Sequence, residues 1–230
     1  LPISFVELHI EQGPLLETEG VPIGVVRAIA APASLRVSLR GVGGHAGTVL
    51  MPSRRDALLA ASEIALAVER AALSTGSPNT VATTGILRVE PGVINAIPSA
   101  ATLEIDVRDI ANEPRDTALA SIRHAVSEIC ERRGIDSTIE LLNADPPATC
   151  APSVIETLIH SCWSLGMHYQ TMVSRAYHDA LFMARICPTA MIFIPCRGGI
   201  SHHPDEYTTP EQIADGIAVL AQSLATLSGE

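Results

Sequence analysis

Apolar and polar positions alternate with period two over Leu35-Arg36-Val37-Ser38-Leu39-Arg40, as in a strand with one buried and one exposed face. A glycine-rich loop follows, Gly41-Val42-Gly43-Gly44-His45-Ala46-Gly47-Thr48. The period then changes. Leu58, Ala61, Ile64, Ala65, Val68 and Ala71 form the apolar stripe of a helix that opens at Pro52-Ser53, with Ser53 as the expected N-cap. Residues 80–89 and 100–107 read as strands, joined through Pro91-Gly92 to Pro98. A second helix opens near Asn112-Glu113-Pro114, carries Leu119, Ile122, Val126 and Ile129 on one face, and stops at Gly134. Residues 137–142 form a last strand.

The order over this stretch is β-α-β-β-α-β, that of a ferredoxin-like domain. The segments on either side differ. Phe5-Val6-Glu7-Leu8-His9-Ile10 predicts a strand ended by Gly13-Pro14, and residues 24–31 a second extended stretch. Beyond Ala144-Asp145-Pro146-Pro147-Ala148, the pattern predicts a helix over 154–165, a strand over 168–173, a helix over 179–187 and a near-continuous apolar strand over 190–194. Thr209-Pro210-Glu211-Gln212 is a capping-box start, and Ile213, Ile217, Leu220 and Leu224 form that helix's stripe. The expected architecture is a parallel α/β layer built from 1–32 and 145–230, interrupted by a ferredoxin-like domain over 33–144.

Composition narrows the function classes. The chain has 230 residues, 47% hydrophobic, with 15 basic against 25 acidic side chains and a net charge of −10. That acidity and an aromatic content of 3% disfavour a nucleic-acid partner, which needs a basic face and stacking platforms. No apolar run approaches the roughly 18 residues of a membrane span, so no membrane partner is expected. Five cysteines at irregular spacing, without a CxxC, argue against a disulfide framework and for a cytoplasmic protein.

Four places could carry chemistry. His9 shares a strand face with Glu7 and Glu11, just before a turn; in open α/β sheets ligands bind beyond strand ends. His202 lies in Gly198-Gly199-Ile200-Ser201-His202-His203-Pro204-Asp205-Glu206, a loop rich in metal-ligand residue types. His45 sits among glycines, where backbone can approach a ligand closely. Asn95 and Arg108 together could clamp a carboxylate. Each also reads as ordinary structure: a solvated strand face, a polar loop, a hairpin tip, an internal Asp106–Arg108 pair. His178-Asp179 is a further dense spot that could simply open a helix.

The strings Glu7-Leu8-His9-Ile10-Glu11-Gln12-Gly13-Pro14, Gly44-His45-Ala46-Gly47-Thr48, Asn95-Ala96-Ile97-Pro98, Asp106-Val107-Arg108, His178-Asp179-Ala180 and Gly199-Ile200-Ser201-His202 occur in that order. Together they resemble the hydantoinase/carbamoylase branch of the dinuclear-metal aminoacylase and peptidase superfamily. Its members include N-carbamoyl-L-amino-acid hydrolase, allantoate amidohydrolase, ureidoglycolate amidohydrolase and β-alanine synthase. The resemblance implies a metallopeptidase-like catalytic domain with an inserted lid that also forms a homodimer. It implies hydrolysis of a linear ureido or amide C–N bond in a small carboxylate-bearing substrate, with two divalent ions (Zn, Mn, Co or Ni). His9 and His202 would be metal ligands and Gln12 would touch substrate. His45, from the partner copy, would stabilise the oxyanion; Asn95 and Arg108, also from the partner, would hold the carboxylate.

The resemblance also marks departures. The His-x-Asp pair, bridging Asp and Glu-Glu pair of the family do not occur here. Together with the opening Leu1-Pro2-Ile3, this predicts that they precede Leu1 and that the isolated chain is inactive. An inactive dimerisation and ligand-binding remnant is the alternative. Arg175 stands where the family usually has Gly, so the pocket there is expected to be narrowed or altered.

Overall fold

The structure is a computed structural model and describes residues 3–229, so Leu1 and Pro2, the basis of the expected truncation, lie outside the described residues. In chain order the strands are β1 (Phe5–Ile10), β2 (Ile23–Ile29), β3 (Ala31–Arg40), β4 (Gly44–His45), β5 (Val81–Glu90), β6 (Ala96–Ile97), β7 (Ala100–Asp109), β8 (Asp136–Ala144), β9 (Ala148–Thr149), β10 (Tyr169–Ser174) and β11 (Thr189–Ile194). The helices are α1 (Leu15–Glu19), α2 (Ala57–Leu73), α3 (Asn112–Arg133), α4 (Pro152–Ser164), α5 (Asp179–Met183) and α6 (Pro210–Ser228). Contacts divide the chain into a split unit, the described residues up to Ala31 with those from Pro147 onward, and a continuous unit, Pro32–Pro146.

The split unit is built on a sheet of order β1-β11-β2-β10, with β9 beside β2. β1 runs parallel to β11 and β10 parallel to β2, but β11 and β2 are antiparallel. The expected parallel layer is therefore a mixed sheet, because strand direction depends on connections that hydropathy does not record. β11 is buried at every position, as its unbroken apolar run predicts. The capping box of α6 forms, with Thr209 Oγ1 accepting from Gln212 N at 3.2 Å and Gln212 Oε1 accepting from Thr209 N at 2.9 Å. Of its predicted core stripe only Leu220 packs against the core, since Ile213, Ile217 and Leu224 are exposed. The fully buried face of the helix is Gly216, Val219 and Ser223. A Cβ on Gly216 would stand 2.7 Å from Ile194 and 2.8 Å from Leu8, so the missing side chain sets how closely helix and sheet approach.

In the continuous unit the sheet order is β5-β7-β3-β8, with α2 and α3 on one face. Leu35, Val37 and Leu39 of β3 and Leu103, Ile105 and Val107 of β7 point alternately into its core, as the period-two pattern predicts. They meet Ile64 and Val68 of α2 and Ile122 and Val126 of α3. Ser53 is not the helix cap: Met51–Ser53 is a short 3₁₀ turn, and α2 begins at Ala57. Asp56 caps it, its carboxylate accepting from Leu58 N at 2.9 Å and Leu59 N at 3.2 Å. Gly134 ends α3 at φ +63°, as expected. All five cysteines are free and buried; burial pushes the Cys150 thiol up to about 12, away from the reactive thiolate.

Glu63 on α2 clasps both Arg132 and Arg133 on α3. Those hydrogen bonds pull its carboxyl down to about 2. A folded value below the ordinary 4.5 means stabilisation that is complete above 4.5 and lost as pH falls toward about 2. Denaturant titrations of the native protein and Glu63→Gln at pH 7 and pH 3 test this. The difference in stability between them is expected to shrink on acidification; an unchanged gap sinks the assignment. Among the described residues no helix is long and apolar enough to cross a membrane.

Candidate active site

Parallel pairing of β1 with β11, His9 opposite Phe193 and Ile10 opposite Ile194, brings both chain exits to one end of the sheet. The loops leaving that end are packed backbone to backbone. A Cβ on Gly199 would lie 2.6 Å from Pro14 N and 2.7 Å from Gly13 C, and Gly199 itself has φ +66°, so only glycine fits. The Gln12 amide donates to Ser201 Oγ at 2.8 Å, tying one loop to the other. Gln12 and His202 are the non-glycine residues with positive φ, at 58° and 57°, among the described residues. Strained backbone held by surrounding contacts is concentrated at functional sites.

The sequence-predicted residues His9, Gln12 and His202 are therefore brought together. Glu206 senses both histidines. Its carboxyl is held below the usual range first by the His202 N–H, at 3.0 Å, and then by the Ser201 hydroxyl. A smaller desolvation effect opposes this, and the charges of His202 and His9 add to the lowering. The expected grouping of Glu7, His9 and Glu11 does not hold. Glu11 is diverted to Leu15 N and Leu16 N at 3.0 and 2.8 Å, where it caps α1, a short helix that the pattern did not reveal. The strand ends at Ile10, so alternation no longer governs where residue 11 points.

Glu7 turns toward His178. Its Oε2 accepts from Ala180 N at 2.7 Å and its Oε1 lies 3.6 Å from His178 Nδ1. Burial pushes the Glu7 carboxyl up, but the His178 ring, the Ala180 amide and the charge of His9 together hold it below the ordinary range. The His178 ring stands edge-on to His9 with centroids 4.8 Å apart and is 5% exposed. Its Nε2 is buried without a hydrogen-bond partner. Sequence reasoning treated His178 as a helix opener; it does stand at the N-cap position of α5, but without a side-chain cap bond. The one signal for it was its place beside Asp179 in the fifth of the ordered strings.

In the continuous unit, β4 pairs with β6, His45 opposite Ala96, and Ala46 N donates to Asn95 O at 2.9 Å. The structure thus brings His45 and Asn95 together. Arg108 lies elsewhere, near the far end of β7 opposite Val81. The eight residue steps of strand from Ala100 to Arg108 span about 26 Å. The expected Asn95–Arg108 clamp is not formed within one copy, because the two residues belong to opposite ends of the sheet. Arg108 Nε donates to Asp106 Oδ1 at 2.7 Å, and a second N–H to Oδ2 at 3.1 Å.

Ring-nitrogen partners fix what two histidines can do. His9 Nδ1 lies 2.8 Å from Ile10 O, a group that only accepts, so Nδ1 carries the proton and Nε2 keeps its lone pair. That is the tautomer of a metal ligand oriented by a backbone carbonyl. His45 is the mirror case: Nδ1 accepts from Gly47 N at 3.1 Å, so in the neutral ring Nε2 carries the proton and donates. His202 is exposed, and its backbone N–H donates to Glu206 Oε2 at 3.0 Å. The donor set suits a divalent ion in chemistry but is incomplete: among the described residues no group of three His, Cys, Asp or Glu side chains is placed to hold one.

The model of peptidase family M20/M25/M40 matches residues 2–226. The chain is 54% identical over 226 residues to a ureidoglycolate hydrolase of Oryza sativa subsp. japonica, covering 98% of this chain and 47% of that protein. It is 39% identical over 220 residues to an N-carbamoyl-L-amino-acid amidohydrolase of a Pseudomonas species, covering 96% of this chain and 53% of that protein. The crystal structure of AtUAH in complex with glyoxylate superposes with a TM-score of 0.92 at 52% identity, covering 99% of this chain and 54% of that one. A hydantoinase/carbamoylase family amidase of Burkholderia multivorans superposes with a TM-score of 0.92 at 34% identity, covering 99% and 55%. The chain spans about half the length of the curated relatives it matches. It belongs to peptidase family M20/M25/M40.

Proposed function

We propose that this chain is the C-terminal portion of a metal-dependent amidohydrolase that cleaves a linear C–N bond of a ureido acid. The observation that carries the reading is the convergence of His9, Gln12 and His202 at one end of the β1–β11 pair, tied by Gln12 to Ser201. Identities of 54% and 53% to ureidoglycolate hydrolases of Oryza sativa and Arabidopsis thaliana favour ureidoglycolate over N-carbamoyl amino acids as substrate.

His9, through Nε2, and His202 would hold divalent ions, with further ligands from a part of the protein outside this chain. Such ions supply a strong nucleophile at neutral pH and polarise the scissile carbonyl. Gln12 gives one N–H to Ser201 and retains a second N–H and a carbonyl oxygen for substrate. The buried His178 Nε2 supports a polar ligand at this spot, since leaving such an atom unpaired costs about 1–3 kcal/mol. His45 donates from Nε2 to the carbonyl oxygen as negative charge develops on it.

The strand order β5-β7-β3-β8 is that of a ferredoxin-like fold, and this unit would act as lid and dimerisation unit. An exposed stripe of Leu59, Leu66 and Leu73 at seven-residue spacing on α2 supports an interface between copies. Arg108 and Asn95 then meet on one substrate only if each comes from a different copy, with His45 accompanying Asn95. This revises the expectation that the partner supplies all three.

Ammonia release by the native protein, supplied with Mn²⁺, Co²⁺ or Zn²⁺, tests the reading. Turnover of ureidoglycolate above N-carbamoyl amino acids is expected. No turnover of any ureido acid overturns it.

A further inference from the structure

We infer that Glu206 is a positioning residue for His202, holding the strained loop that presents this imidazole. The inference rests on the proposed reading of His202 as a metal ligand and assigns a role to a residue that none of the ordered strings includes. Three observations carry it. His202 has φ +57°, a backbone conformation that side-chain-bearing residues rarely adopt and that persists only when neighbouring contacts hold it. Glu206 Oε2 accepts the His202 N–H at 3.0 Å, across the turn that Glu206 N closes on His203 O, also at 3.0 Å. Ser201, the residue before His202, receives the Gln12 amide on its hydroxyl oxygen at 2.8 Å.

A line of contacts therefore runs from Gln12 to Ser201 and through the peptide to His202, whose N–H is held by Glu206. It joins the loop after β1 to the loop after β11, the two loops that follow His9 and contain His202. Gln12 and His202, the two strained side-chain-bearing residues, are its two ends. Glu206 is exposed and packs no core, so its bonds act on loop conformation and not on burial. The His9 ring is held independently by Ile10 O, which confines the effect to His202. Partners of metal-ligand groups generally contribute 10–100-fold to metal affinity.

Zinc affinity of the native protein is measured by competition with a chromophoric chelator, using Zn²⁺ alone, alongside thermal unfolding of the metal-free forms. Glu206→Ala is expected to weaken the affected site about 10–100-fold with metal-free unfolding unchanged. Glu206→Gln keeps an acceptor oxygen and is expected to recover most of that loss, since a neutral acceptor is about half as strong as a charged one. If Glu206→Ala binds zinc as the native protein does while His202→Ala loses it, the positioning role is overturned and the ligand reading stands. If His202→Ala also binds normally, the ligand reading itself falls. A Glu206→Ala variant that melts earlier but binds zinc normally in its folded fraction marks a merely structural role and overturns the inference.

Discussion

Replacing His45 by Ala is expected to lower kcat on a ureido acid by about 10²–10³-fold with KM little changed, the effect of deleting one donor to a developing oxyanion. The geometry argues for this division. Gly47 N occupies Nδ1, so the exchangeable proton of the neutral ring sits on Nε2. His45 is exposed and lies on the two-residue strand β4, outside the core of the continuous unit. Its loss should therefore leave unfolding unaffected. His45→Gln, which retains a donor N–H, is expected to recover part of the rate. Steady-state kinetics decides the matter: a variant that loses only KM makes His45 a binding residue and removes the oxyanion role.

Arg108→Ala is expected to raise KM about 10–100-fold for a carboxylate substrate, as loss of hydrogen bonds to a charged group implies. Folding should change little. Asp106 loses its guanidinium partner but keeps a side-chain exposure of 36%, and water takes over at such sites at a cost below about 1 kcal/mol. A substrate analogue with the carboxylate replaced by an amide should be handled equally badly by both proteins. If the native enzyme hydrolyses that amide as well as the acid, the clamp does not exist.

The separation of Asn95 from Arg108 adds a sharper arm. When Asn95→Ala and Arg108→Ala subunits are mixed and re-associated, half of the dimers are hybrids. In each hybrid, one of two sites receives an intact Arg108 from one copy and an intact Asn95 from the other. Recovery of about a quarter of native activity is expected for randomly associating twofold dimers. If both residues came from the same partner copy, every hybrid site would carry one defect, and mixing would restore nothing.

Much of this molecule is legible from residue order because the signals are local. Alternation over Leu35–Leu39 reports one buried sheet face, the unbroken run before Pro195 reports a doubly covered strand, and Thr209-Pro210-Glu211-Gln212 closes its capping box through bonds spanning three residues. The candidate residues His9, Gln12 and His202 were legible too, since the ordered strings name residue types whose chemistry is intrinsic. What periodicity could not register is proximity between distant positions. The stripe Ile213, Ile217 and Leu224 has a helical period, yet it is exposed, because Gly216 lets the opposite side of α6 settle against Leu8 and Ile194.

Local order thus determined most of the longer elements, the capping box of α6 and the chemistry available at each candidate position. Tertiary structure alone decided which groups meet. It directed Glu11 to a helix cap and Glu7 to His178, stood His178 against His9, linked Gln12 to Ser201 across the chain, and set Arg108 at the end of β7 far from the turn that carries Asn95. The physical reason is that side-chain chemistry and backbone preference act over a few bonds, whereas strand direction and loop packing are settled by burial summed over the whole unit.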